Sequence, residues 1–150
     1  MRRRIIVIIT ALIVLGSLSF VANAQKGEKA WQKTVRLPNG DVILNMSGEW
    51  KVMYEHPGLS SMMGTYGDTL TIRQESAKFT AVKQLGSRFV PKGADSLKGE
   101  LDKNGFKEVY ICTDASTKDG IWKPCLGEIS EDGNKVVLEC DGVKAKLARK

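Results

Sequence analysis

A single histidine, His56, serves the whole 150-residue chain. It falls in a loop-like stretch, Glu55-His56-Pro57-Gly58, and nothing in the spacing brings it beside Cys112 or a serine, so a Cys–His or Ser–His nucleophile has no basis. Gly-rich phosphate loops, Cys-x-x-Cys and His-x-x-His patterns are missing too. Acidic neighbours such as Glu131-Asp132 sit in turns, where they serve turn chemistry. These gaps argue against an enzyme and leave no motif for a cofactor or a resident metal. Lysines are scattered through alternating segments and never form a run, which speaks against a nucleic-acid surface. Helical periodicity is also lacking: no segment carries a convincing apolar stripe at 3.6-residue spacing.

The one long apolar run lies at the N-terminus. Arg2, Arg3 and Arg4 precede an apolar stretch from Ile5 to Val21, followed by Ala22-Asn23-Ala24 and Gln25. That order is a basic region, an apolar region and a small-x-small cleavage site, and predicts a cleavable signal peptide over residues 1–24. The run approaches the ~18 residues of a spanning helix. The placement of the small residues, and the lack of a charged stop-transfer flank, favour cleavage over a stable membrane anchor. No cysteine follows the site to carry a lipid, and the arginines lack the rest of a twin-arginine signal. The product is expected in the periplasm or secreted. The full chain has a formal charge of +6; losing Arg2, Arg3 and Arg4 leaves a mildly basic +3. Three cysteines, Cys112, Cys125 and Cys140, imply one disulfide and one free thiol in an oxidising compartment.

Residues 25–40 read as a polar N-terminal arm in which Trp31 is the only large apolar residue, closed by the turn signal Pro38-Asn39-Gly40-Asp41. Val42-Ile43-Leu44 reads as an edge strand or a lid-like segment. Across residues 41–150 a period of two dominates. Trp50, Val52 and Tyr54 share a face, as do Leu70 and Ile72; Phe79, Ala81, Lys83 and Leu85; and Leu97, Gly99 and Leu101. Phe106 to Thr113 is strand-like with an ambiguous inward face. Cys125 and Ile129 share a face across Gly127, followed by Val136, Leu138 and Cys140, then Val143, Ala145 and Leu147. Glu75-Ser76, Lys103-Asn104-Gly105, Asp132-Gly133 and Asp141-Gly142 punctuate them, and Asp-Gly between alternating runs is a strong hairpin signal. Eight consecutive strands, each apolar on one face, predict an all-β protein. The expected architecture is an eight-stranded antiparallel up-and-down β-barrel, able to fill with side chains or hold one small ligand, with a two-sheet sandwich as the alternative.

A two-residue turn at Asp132-Gly133 puts Cys125 opposite Cys140, with Cα atoms roughly 4.5–5.5 Å apart, within reach of a disulfide. A bulge at Gly133 would slip the register and bring Cys112–Cys125 into play, and reduced cysteines are the remaining option.

Gly48-Glu49-Trp50, opening the first long strand, resembles the Gly-x-Trp motif of the calycin superfamily, and is most similar to small bacterial lipocalin-like proteins. The resemblance covers about residues 41–150. It implies that Trp50 closes the barrel floor and that Arg149, near the end of the last strand, packs over the indole, a contact of roughly 0.5–2 kcal/mol. The long helix that lipocalins place after the barrel is not seen here. The barrel is therefore compact, closer in size to avidin-like barrels or to bacterial inhibitors of secreted metalloproteases.

Inward positions mix large residues (Trp50, Tyr54, Phe79, Leu101) with small ones (Ala81, Gly99, Gly127, Ala145), which either leave room for a ligand or accommodate the neighbouring aromatics. Met62 and Met63, on the first loop, suit an adaptable apolar contact at the barrel mouth. Met53, His56, Met62 and Met63 together are also soft ligands of the kind that select Cu(I). An inward Lys83 is costly without a partner, and should reach the rim or meet the acidic group of a ligand. The expected binding residues are thus Tyr54, Met62, Met63, Phe79, Lys83 and Leu101, and the expected function is an exported carrier or sensor of a small apolar molecule. The alternative is a protein-binding module, such as a secreted-protease inhibitor that inserts the arm with Trp31 as anchor. A packed envelope protein without a small ligand is a third reading.

Overall fold

The computed structural model describes residues 30–56 and 65–150. The expected signal segment, Met62 and Met63 lie outside the described residues. Ten strands follow in order: β1 Thr34–Arg36, β2 Val42–Leu44, β3 Gly48–Glu55, β4 Thr65–Glu75, β5 Lys78–Lys83, β6 Asp95–Asp102, β7 Gly105–Asp114, β8 Ile121–Ile129, β9 Lys135–Cys140 and β10 Val143–Arg149. Strands β3 to β10 form a closed barrel in sequence order, with β10 pairing back onto β3, every pair antiparallel. Alternation drives this arrangement. In β3 Trp50, Val52 and Tyr54 are buried while Lys51 and Met53 are exposed, and in β10 Val143, Ala145 and Leu147 face the core. A single sheet with one apolar face and no free edge results.

One end of the barrel is plugged. β1 and β2 form a separate hairpin, around a turn in which Gly40 takes φ 91° and Asn39 Oδ1 accepts the Asp41 amide. Ile43, Leu44 and Met46 are fully buried at the floor. Gln74 of β4 holds this segment in place, accepting the Met46 amide at 2.6 Å and donating to the Leu44 carbonyl at 3.1 Å. Trp50 is completely buried and donates its indole N–H to the Met46 carbonyl. Arg149, its register partner, lies over the indole at 4.4 Å and caps the Ser47 and Asn45 carbonyls. Gly48 has φ 121° with open space around it, so backbone conformation and not crowding calls for glycine there.

Residues 30–40 are not a free arm. Trp31 is 7% exposed and sits against Leu44 and Gly133, where a Cβ on the glycine would press into both side chains. The Gln32 amide donates to the Asp132 carbonyl. The lone tryptophan of a polar stretch gains most by docking where the barrel end offers apolar surface. The third tryptophan, Trp122, lies on the outer wall beneath Lys98, 4.1 Å from its ring.

Cys125 and Cys140 are direct register partners and form the disulfide, with Cα atoms 4.3 Å apart, while Cys112 is free and buried. Two expectations about facing change. Leu85 is 72% exposed because β5 ends at Lys83 and the chain turns away. The face of β7 was ambiguous because bulges break its period, one between Glu100 and Leu101 of β6 and another after Cys112.

Replacing Trp31 by Ala is expected to cost about 3 kcal/mol, read as a lower urea midpoint at unchanged slope; a free arm would show no change.

Candidate functional site

The small inward residues divide by position. Gly99 lets the Phe79 ring lie against the sheet, and a Cβ there would come within 2.4 Å of the Glu108 carbonyl and 2.8 Å of the ring. Gly127 does the same for Phe106, which packs on Phe79 at 5.9 Å. In this floor half of the barrel, small residues accommodate aromatics. Phe79 and Leu101 are therefore packed core and are not among the side chains of the cavity at the mouth.

The opposite end is not packed in this way among the described residues. A cavity of about 530 Å³, with mainly apolar walls, is formed there by side chains that include Tyr54, Tyr66, Lys83, Val90, Ile111, Cys112 and Val143. Tyr54 and Tyr66 face each other across β3 and β4 and stack at 4.7 Å. His56 continues the stack on Tyr66 at 5.8 Å. Lys83, only 3% exposed, lies 4.5 Å from the Tyr54 ring centre and 5.0 Å from that of Tyr66, and donates a hydrogen bond to the Tyr66 hydroxyl at 3.2 Å. It forms no ion pair with any described residue. Burial lowers its pKa below the ordinary lysine value, against the opposing pull of Asp68 and Cys112.

Asp68 is the nearby acid, but it is already engaged. Its carboxylate accepts the amides of Thr69 and Leu85 on one oxygen and that of Gly86 on the other, tying β4 to the loop after β5. Burial raises the pKa of Tyr66, with Asp68 adding to the effect. Burial likewise raises that of Tyr54, helped by Tyr66 and Asp68, with nearby Ser96 pulling it back. The Ser96 hydroxyl is turned to the Ala81 carbonyl, and the buried Tyr54 hydroxyl has no hydrogen-bond partner of good geometry among the described residues. Cys112 is a thiol held high by burial. At the rim Lys123 pairs with Asp141 at 2.9 Å, Arg88 lies beside the Phe89 ring, and Phe89 is 56% exposed.

Of the expected binding residues, the structure brings Tyr54 and Lys83 together at the cavity, while Phe79 and Leu101 lie deeper. The soft-ligand set is divided: Met53 points outward and is 43% exposed, whereas His56 lines the cavity. Among the described residues no group of three or more His, Cys, Asp or Glu is placed to hold a metal ion. Tyr66 was missed because the alternation was followed back only to Thr69; two more steps from Leu70, through Asp68, reach it. Ile111 and Cys112 were hidden by the bulges in β7. Val90 belongs to a loop with no period to follow.

A scan against models of known protein families finds no match to this chain, and searches of curated proteins and of solved structures find none either. The closed eight-stranded antiparallel barrel is consistent with a calycin-like fold. The Cys125–Cys140 disulfide is more typical of periplasmic or extracellular proteins.

Tyr54→Phe tests the unpartnered phenol. Removing a buried hydroxyl with no hydrogen bond is expected to raise stability by about 1 kcal/mol at pH 7. Because the folded pKa of Tyr54 is raised above 10.0, its contribution is fully present below that pH and is lost as pH climbs through the folded value. The variant should therefore lose less stability than the parent in urea titrations above pH 10; a loss at pH 7 would mean the hydroxyl has a buried partner.

Proposed function

We propose that this protein is an exported, lipocalin-like carrier or sensor that holds a small apolar molecule at the mouth of its barrel. The observation that carries the reading is the cavity of about 530 Å³ that the described residues form at the end of the barrel opposite its plugged floor. That size falls in the ~300–1,000 Å³ range of small-molecule sites, which typically join apolar walls to a few placed polar groups. Here the walls are Val90, Ile111 and Val143, and the polar groups are Lys83 and Tyr66. Export is supported by the basic-apolar-small order of residues 1–24 and by the disulfide. The protease-inhibitor reading draws less support, since Trp31, its intended anchor, is buried against the protein's own floor.

The test is native mass spectrometry of the purified protein against its denatured mass, followed by titration with a neutral apolar dye such as Nile red. Extra mass lost on denaturation, or saturable one-to-one dye binding weakened about tenfold by Ile111→Phe, is expected. The absence of both extra mass and saturable binding would overturn the reading.

A further inference from the structure

We infer that the Lys83 ammonium and the Tyr66 hydroxyl form an anchor for the carboxylate of an apolar monocarboxylic acid. The inference rests on the binding reading above and adds the ligand's chemical class.

Lys83 carries a buried charge with no acid paired to it among the described residues. Lys83 is 3% exposed at the cavity wall, and its hydrogen-bond partner is the neutral Tyr66 hydroxyl at 3.2 Å. A buried ammonium is normally paired with an acid. The acid within electrostatic reach, Asp68, spends its oxygens on the Thr69, Leu85 and Gly86 amides. The faces of Tyr54 and Tyr66 attract the cation but supply no acceptor oxygen for its remaining N–H groups. Once Tyr66 accepts from Lys83, its own O–H proton is free to donate. Ammonium and hydroxyl therefore offer two adjacent donors, the set that a carboxylate's two oxygens take up with charge-assisted hydrogen bonds.

The alternatives fit less well. A cationic ligand would meet a like charge, and a neutral one would leave the ammonium unpaired. Among the basic residues at the rim, Lys123 is already paired with Asp141 and Arg88 lies beside the exposed Phe89 ring, so the buried cation without an acid partner among the described residues is Lys83. At roughly 30 Å³ per heavy atom, the share a water molecule takes in the liquid, 530 Å³ accommodates up to about 18 non-hydrogen atoms. That describes an acid with a medium to long alkyl chain, or with one or two rings.

The groups facing Lys83 are Tyr54 from β3, Tyr66 and Asp68 from β4 and Cys112 from β7. Burial raises the pKa of Tyr54, Tyr66 and Cys112 and lowers that of Lys83 below its ordinary value, so of these groups the lysine is the one whose charge is lost early as pH rises.

The experiment compares decanoic acid, decanol and decylamine by calorimetric titration of the protein at pH 7.5. The acid is expected to bind at least tenfold tighter than the alcohol, with the amine weakest, and acid affinity should fall as pH rises from 8 towards 10. Lys83→Met should bring the acid's affinity down to that of decanol in the same variant, and Tyr66→Phe should reduce the advantage several-fold. Lys83→Met removes an unpaired buried charge, so its urea midpoint should not fall; if it does, Tyr66→Phe supplies the same ratio. Equal affinity for acid and alcohol, or an acid preference that survives Lys83→Met, overturns the anchor and leaves the carrier reading standing. Failure of all three ligands together with the neutral dye removes the carrier reading and the anchor with it.

Discussion

Everything in this protein depends on the seam where β10 pairs with β3. Six residue pairs, from Lys144–Glu55 to Arg149–Trp50, join the end of the chain to the first barrel strand. Without it, β3 and β10 would be two open edges exposing unpaired backbone groups and a split core. The seam also brings Arg149 over Trp50, so the guanidinium that caps the Asn45 and Ser47 carbonyls is delivered by the same pairing. It is a contact of very long sequence range, made at the cost of loop-closure entropy, which is a physical reason for such barrels to fold slowly.

The two ends of the closed sheet are built in opposite ways. At the floor, Trp31, Ile43, Leu44 and Met46 are buried, and glycines at 99, 127 and 133 let rings or chains approach the backbone. At the mouth the inward positions hold Asp68, Lys83 and two tyrosines, of which Lys83 and the tyrosines line a mainly apolar cavity. A core optimised for packing alone would place aliphatic residues there. The polarity is concentrated at the end that holds the cavity, and departures of this kind from an all-apolar core are where a functional site is expected.

Much of the barrel was legible in the sequence because strands with one buried face print a period of two. Trp50, Val52 and Tyr54 in β3, or Val143, Ala145 and Leu147 in β10, needed nothing more. The cysteine pair was legible for the same reason, since hairpin register follows from counting outward from a turn. Lys83 stood out as a charge in an apolar phase. What was lost was lost at breaks of period: the bulges of β7 hid Ile111 and Cys112, and the turn after Lys83 sent Leu85 outward. Trp31 could not be placed, because no local pattern tells a tethered tryptophan whether its pocket lies in its own chain or in another.

The carboxylate of Asp68 gathers the amides of Leu85 and Gly86 into β4, and the loop so fastened carries Val90 and Phe89 to the cavity wall. That side of the cavity is fixed by the chain's own hydrogen bonds. For the proposed carrier, little ordering entropy would then be lost there on association, and residence time, more than capture rate, would distinguish one guest from another.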